Sequence, residues 1–244
     1  MKVYYDFHIH SCLSPCGDSE MTPNNIVNMA MVCGLHAIAL TDHNSCGNCA
    51  ATARVAAAVG LSFIPGMELC TAEEAHVVCL FPTVESALSF ETVVRPTLPP
   101  VQNRAAIFGE QILCNADDEV VGTEPLLLTT ASSLSVDELP SLTAQFGGIC
   151  FPAHIDRPSY SVTASLGDVP PLPFAAVEVT PQGDIHALRK RYAVGERPVL
   201  INSDAHYLEH IREPQAYLEL SDSQPTSILA ALRGERLFTF GVDL

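Results

Sequence analysis

The first hydrophobic run of the chain, Val3-Tyr4-Tyr5-Asp6-Phe7-His8-Ile9-His10, ends in two histidines one residue apart. Alternation in a strand puts residues i and i+2 on one face. The two imidazoles therefore project together, with Ile9 turned the other way. Paired neutral imidazoles form a clamp for a divalent metal. The later apolar runs carry ligand-type residues in the same way: Thr41-Asp42-His43, Gly66-Met67-Glu68, Ala75-His76, Pro152-Ala153-His154 and Ser203-Asp204-Ala205-His206. Carboxylates and histidines at one end of strand after strand describe a multinuclear metal site at the mouth of a barrel. His36, His186 and His210 lack that placement and read as ordinary core or surface histidines.

Strand-length apolar runs fall at 3–9, 36–41, 61–67, 76–81, 148–153, 174–179 and 198–203, with weaker ones at 215–220 and 237–240. Helical segments are expected at 23–33, opened by Thr22-Pro23, at 47–59, closed by Gly60, and at 136–146, opened by the Ser135/Glu138 capping box. Strands alternating with helices imply parallel pairing with right-handed crossovers. Residues 83–134 interrupt the pattern with Arg95-Pro96 and Pro99-Pro100, then a hairpin turning through Asn115–Asp118. That stretch reads as an insertion or lid within a single domain spanning 1–244.

The balance of 48% hydrophobic and 16% charged residues is that of a globular chain. No apolar stretch reaches a membrane span, and the chain enters a strand without a secretory leader, so a cytoplasmic protein is expected. Nine cysteines, an odd number placed mostly in apolar segments, read as reduced buried thiols. A formal net charge of −16 is the wrong surface for gripping long nucleic acid. A short anionic substrate held by metals fits it better. Oligomeric state is not legible.

The ordered set Asp6-Phe7-His8-Ile9-His10-Ser11, Leu40-Thr41-Asp42-His43-Asn44, Pro65-Gly66-Met67-Glu68, Ala75-His76-Val77, Pro152-Ala153-His154 and Ser203-Asp204-Ala205-His206 resembles the PHP (polymerase and histidinol phosphatase) superfamily over residues 1–82 and 144–210. The resemblance implies a distorted, TIM-like (β/α)7 barrel with two or three divalent ions, zinc, manganese or iron, and hydrolysis of phosphate esters by a metal-bridging hydroxide. It further implies one ion on His8, His10, Glu68 and Asp204. Glu68 bridges to a second ion completed by His76 and His154, and a third uses His43, His206 and a first-loop residue. In Ser14-Pro15-Cys16-Gly17-Asp18 that residue is Asp18 by preference, with Cys16 as the alternative. Arg157 resembles a basic residue that reaches the substrate phosphate, with a salt bridge to Asp156 or another acid as the competing reading. Asp204 and His206 join Arg157 as expected catalytic groups, and Asn44 as a substrate contact.

The expected substrate is a small nucleotide-like or other phosphorylated molecule, with 5′-exonuclease action on short oligonucleotides as the alternative. Two other classes compete. One is a non-catalytic PHP module. The other is a thiol-based metal or redox sensor using Cys12, Cys16, Cys46 and Cys49.

Overall fold

A computed structural model describes residues 1–236 and 238–242. The first third is a parallel unit of β1 (Lys2–Ile9), α1 (Pro23–Val32), β2 (Ala37–Leu40), α2 (Cys49–Val59) and β3 (Ser62–Cys70). Proline at the first turn of α1 and left-handed Gly60 after α2 delimit the helices as expected. β4 (His76–Leu80) departs from the expected parallel pairing: it runs antiparallel to β3, Cys70 opposite His76. The linker of Thr71–Ala75 is too short for a crossover, which needs a dozen residues or more. His76 thus opens its strand instead of closing it, and the reversal is what brings it to the same end of the sheet as Glu68.

The stretch 83–134 divides into two parts. Its first part, α3 (Val84–Val94), belongs to the core: Ala87, Phe90 and Val94 are buried, and the Phe90 ring lies 4.8 Å from Phe81 and 5.7 Å from Phe146. After α4 (Ala105–Phe108) comes the hairpin of β5 (Ile112–Cys114) and β6 (Val120–Thr123). It is tied to the first loop by Ile112 N–H donating to the Cys12 carbonyl (2.8 Å), and to the start of α2 by Cys114 N–H donating to Asn48 Oδ1 (2.9 Å).

α5 (Leu139–Gln145) leads into β7 (Ile149–Pro152), antiparallel to β4. Next come α6 (Val162–Ser165), β8 (Val177–Val179), α7 (Ile185–Arg191), β9 (Val199–Ile201), β10 (Ala216–Glu219), α8 (Pro225–Leu232) and β11 (Thr239–Val242). The result is a mixed α/β fold with a curled seven-stranded sheet, ordered β11-β10-β1-β2-β3-β4-β7. The separate parallel pair β8–β9 spans its open side. Ile155 N–H donates to the Glu178 carbonyl (2.9 Å), and His10 N–H donates to the Ala205 carbonyl (2.9 Å). These links join the ends of β1, β7, β8 and β9, and β3 reaches the same end through its pairing with β2 and β4.

Within β1, Val3, Tyr5 and Phe7 belong to one apolar cluster and Ile9 to the other. The changeover falls where the β1–β2 register shifts between Asp6 and Ile9. It leaves His8 and His10 fully buried at the strand's end. No helix among the described residues is long and apolar enough to cross a membrane.

Candidate metal centre

Glu68 lies at the middle of the strand ends, 1% exposed and ringed by imidazoles. Its Oε1 is 3.2 Å from His8 Nε2, 2.9 Å from His76 Nδ1 and 3.1 Å from His154 Nε2. Its Oε2 is 3.4 Å from His10 Nε2 and 3.0 Å from His43 Nδ1. Asp204 Oδ1 approaches from the far side, 3.3 Å from His8 Nε2 and 3.1 Å from His10 Nε2. His206 stacks on His10, ring centroids 4.1 Å apart.

Ligand atoms converge within 4.8 Å in three sets: His8, His10, Glu68 and Asp204; His43, Glu68 and His76; His10, His43 and His206. The first is the expected set for one ion. The others share residues differently from expectation: His43 lies with Glu68 and His76, and His10 joins His43 and His206, while His154 reaches the centre through Glu68.

Metals fit this arrangement on its own chemistry. Glu68 Oε2, Asp204 Oδ1 and His43 Nδ1 are buried without a hydrogen-bond partner of proper geometry. Unsatisfied groups of that kind are costly unless a ligand completes them. The Nε2 atoms of His8 and His10 lie 3.1 Å apart.

Outer contacts fix which nitrogen faces inward. His8 Nδ1 sits 2.9 and 3.0 Å from the two oxygens of Glu178, leaving Nε2 for the centre. Glu178 also accepts from the His154 N–H (3.0 Å) and Asn202 Nδ2 (2.8 Å), joining three strand ends. Sequence reading missed Glu178; a lone carboxylate inside Val177-Glu178-Val179 was its one signal. For His10 the relay is Nδ1 to Ser14 Oγ (2.9 Å), whose hydroxyl donates to Asp42 (2.7 Å). His206 Nδ1 faces the Asp204 carbonyl at 2.9 Å, which leaves its Nε2 as the free acceptor.

Asn44, His154 and Asp204 all have positive φ (49°, 28° and 51°), a strained backbone concentrated at these strand ends.

Electrostatics follow from burial against charge. Burial alone would depress the His8 imidazolium, but Glu178, Asp204 and Glu68 outweigh it and hold its pKa well above the usual value. His10 and His43 are raised too, against the same desolvation, by their carboxylate neighbours and, for His43, a hydrogen bond with Cys16. His206 is pushed down to about 3 by burial and the charge of His10. The surrounding imidazoles hold Glu68 and Asp204 well below the carboxylate range despite burial.

Several expected site residues are placed differently. Asp18 does not reach the centre: its Oδ1 accepts from Glu20 N–H (2.8 Å) and its own N–H donates to the His206 carbonyl (2.8 Å). It closes the first loop, a loop so tight that a Cβ on Gly17 would lie 2.5 Å from the Ser11 carbonyl oxygen. Cys16 is the first-loop side chain beside His43. Asn44 is not free to touch substrate. Its amide donates to the carbonyls of Leu128 (2.7 Å) and Thr130 (2.8 Å) and accepts from Cys70 N–H (3.0 Å), so it positions the strand end. Arg157 pairs with Asp204 Oδ2 at 2.5 Å, whereas Asp156 is held by Thr180. Cys46 and Cys49 both point at the Gly66 carbonyl, and Cys12 lies 3.6 Å from Cys114. Among the described residues, the converging ligand groups contain only His, Glu and Asp.

A family model for the PHP domain matches residues 6–133, just over half of the 244-residue chain. The chain belongs to the PHP family. No curated protein matches it. Among solved structures, this PHP domain is similar to the lesion-specific endonuclease PfuEndoQ from Pyrococcus furiosus, with a TM-score of 0.72 at 20% identity over 98% of the chain. It spans 58% of that endonuclease's length. An endonuclease Q complex with a 27-mer duplex bearing an abasic lesion at the active site gives 0.66, at the same identity and coverage of both chains. A protein from Bifidobacterium adolescentis carrying the provisional assignment of metal-dependent phosphoesterase gives 0.58 at 18% identity, covering 83% of this chain and 87% of that one. At such identities the likeness establishes the fold.

Two outcomes are expected at the centre. Raised histidine pKa values stabilise the metal-free fold below the unfolded value near 6.5, and that contribution is lost as pH rises through the folded values. Depressed carboxylates contribute above about pH 4 and lose it on acidification. His206 has the opposite sign to the other three histidines, so their loss dominates above neutrality. Thermal unfolding with chelator should therefore fall from pH 6 to 9, while metal-loaded protein keeps its midpoint; parallel curves would contradict this. Separately, Glu178→Gln should weaken metal binding about 10- to 100-fold in chelator competition, because His8 loses its anchoring charge. Unchanged affinity would remove Glu178 from that role.

Proposed function

We propose that this chain is a metal-dependent hydrolase of phosphate esters, acting on small nucleotide-like substrates. The observation that carries this reading is Glu68, a buried carboxylate shared by five imidazoles, beside a cavity that Arg157 lines. The cavity, about 490 Å³, borders Asp204, His206 and Cys16 and is of small-ligand size. In this reading two or three ions, zinc, manganese or iron, are held by His8, His10, His43, Glu68, His76, His154, Asp204 and His206. Cys16 takes the first-loop position in place of Asp18.

Bound divalent ions supply acidified water and neutralise phosphoryl oxygens. The protein's own groups do the rest. Glu178, and Ser14 backed by Asp42, orient the imidazoles of His8 and His10. His206, neutral near pH 7, offers its Nε2 lone pair. Arg157 is 42% exposed and spends one nitrogen on Asp204, so the rest of its planar fork is available to non-esterified phosphate oxygens. The β5–β6 hairpin, fastened to the first loop, acts as an insertion of a single PHP-type domain. Nine unpaired thiols, seven of them buried, support a reducing, cytoplasmic setting.

A second reading, hydrolysis at the end of a short oligonucleotide, draws on the likeness to the endonuclease Q complex. The charge of −16 weighs against long duplexes.

The test is a phosphoester panel with metal-reconstituted protein: nucleotides, sugar phosphates, diesters and short oligonucleotides. Turnover of phosphomonoesters is expected, abolished by chelator. Arg157→Ala at equal metal loading should cut kcat/KM by about 30- to 1,000-fold, corresponding to about 2–4 kcal/mol, with partial rescue by Lys. No turnover of any phosphoester by the fully loaded protein would overturn the reading. Unchanged monoester kinetics in Arg157→Ala would leave that residue a salt-bridge partner only.

A further inference from the structure

Beyond Arg157 and His206 the cavity continues along a wall made by residues that are not themselves metal ligands, from the continuation of the loop after β9 and from the loop after β8. Tyr207, 44% exposed, precedes the short 3-10 turn Leu208–His210. In that geometry residues three apart eclipse one another, which sets Tyr207 and His210 on one side. Their rings meet edge to face, centroids 5.2 Å apart at 70°, and His210 N–H donates to the Tyr207 carbonyl (2.9 Å). The phenol ring is thus braced by His210 in a residue that lines the cavity and is 44% exposed.

The second loop, 180–183, contributes Pro181 and Gln182. It is locked by Asp156, which accepts from the Thr180 N–H (3.0 Å) and hydroxyl (2.6 Å), and by Gly183 N–H donating to the Thr180 carbonyl (2.9 Å). Tyr207 follows His206 directly, and Asp156 lies two residues after His154. Each loop is therefore in fixed register with the metal centre. Arg212 adds a second guanidinium to the lining.

An exposed aromatic ring next to a phosphate-binding pole suits a planar ring joined to a phosphate. Bases of every kind stack on tyrosine, and the Gln182 amide has both a donor and an acceptor for a base edge. A plain sugar phosphate would leave the aromatic pair unused. We propose that Tyr207, supported by His210 and sharing the cavity wall with Gln182, is a nucleobase subsite. The substrate is then a nucleotide, either free or as the terminal unit of a short strand. For its phosphate end the proposal rests on the hydrolase reading above.

The experiment compares metal-loaded parent, Tyr207→Ala and Tyr207→Phe on a nucleoside monophosphate, a dinucleotide and glycerol 3-phosphate. Binding of adenosine, which has no phosphate, is followed in parallel by saturation-transfer NMR. Tyr207→Ala should lower the kcat/KM ratio of nucleotide to glycerol phosphate by about 5- to 150-fold, the range of one base–aromatic stack. Tyr207→Phe should retain the ratio, and the adenosine saturation-transfer signal should vanish in Tyr207→Ala alone. Preference for the mononucleotide or the dinucleotide assigns the free or strand-end source. A ratio unchanged in Tyr207→Ala, with glycerol phosphate still hydrolysed, overturns the base subsite and spares the hydrolase reading. If Tyr207→Ala abolishes adenosine binding in a protein that hydrolyses no phosphoester, the subsite stands and the hydrolase reading is rejected.

Discussion

The structure is organised around one electrostatic problem, the carboxylate of Glu68 removed from water. An ionised carboxylate in a protein interior is costly unless it is paired or ligates a cation. Here five imidazoles and the opposing Asp204 surround it, drawn from β1, β4 and the loops after β2, β7 and β9. Without metal, the neighbouring carboxylates raise the pKa values of His8, His10 and His43, which makes protonated imidazole the compensating charge open to the site. With metal, cations supply it, and the imidazoles become neutral donors. The same residues serve both states, so metal affinity and fold stability are linked.

This demand accounts for departures from a regular alternating barrel. His76 could not face Glu68 from a parallel β4, because a crossover would start the strand at the opposite end of the sheet. The tight turn after Cys70 solves that with a hairpin. The short β8–β9 pair lets Glu178 reach both His8 and the His154 amide from one carboxylate. Left-handed backbone at Asn44, His154 and Asp204 aims side chains that ordinary strand ends would misdirect. The Asn44 amide, spent on three backbone groups, holds one of those bends.

Much of this was legible in the residues. His8 and His10 were readable because strand alternation is rigid, and Glu68, Asp204 and His206 because they close apolar runs. What escaped had physical reasons. Glu178 sits in an apolar triplet where alternation cannot say whether a carboxylate faces water or a buried histidine. That Asp18 is spent on closing its own loop around Gly17 is a steric matter that ligand chemistry does not reveal. His210 lacked strand-end placement, yet a single 3-10 turn carries it into the cavity wall. α3 was hidden by the prolines after it, although Ala87, Phe90 and Val94 already carried helical spacing.

Anomalous diffraction from crystals grown with manganese or zinc addresses the central claim, that Glu68 is the shared ligand of a multinuclear centre. Two or more peaks are expected at the His8/His10 end of the sheet, with the Glu68 carboxylate joining two of them. A single ion there, or ions whose ligands leave Glu68 out, would contradict the account.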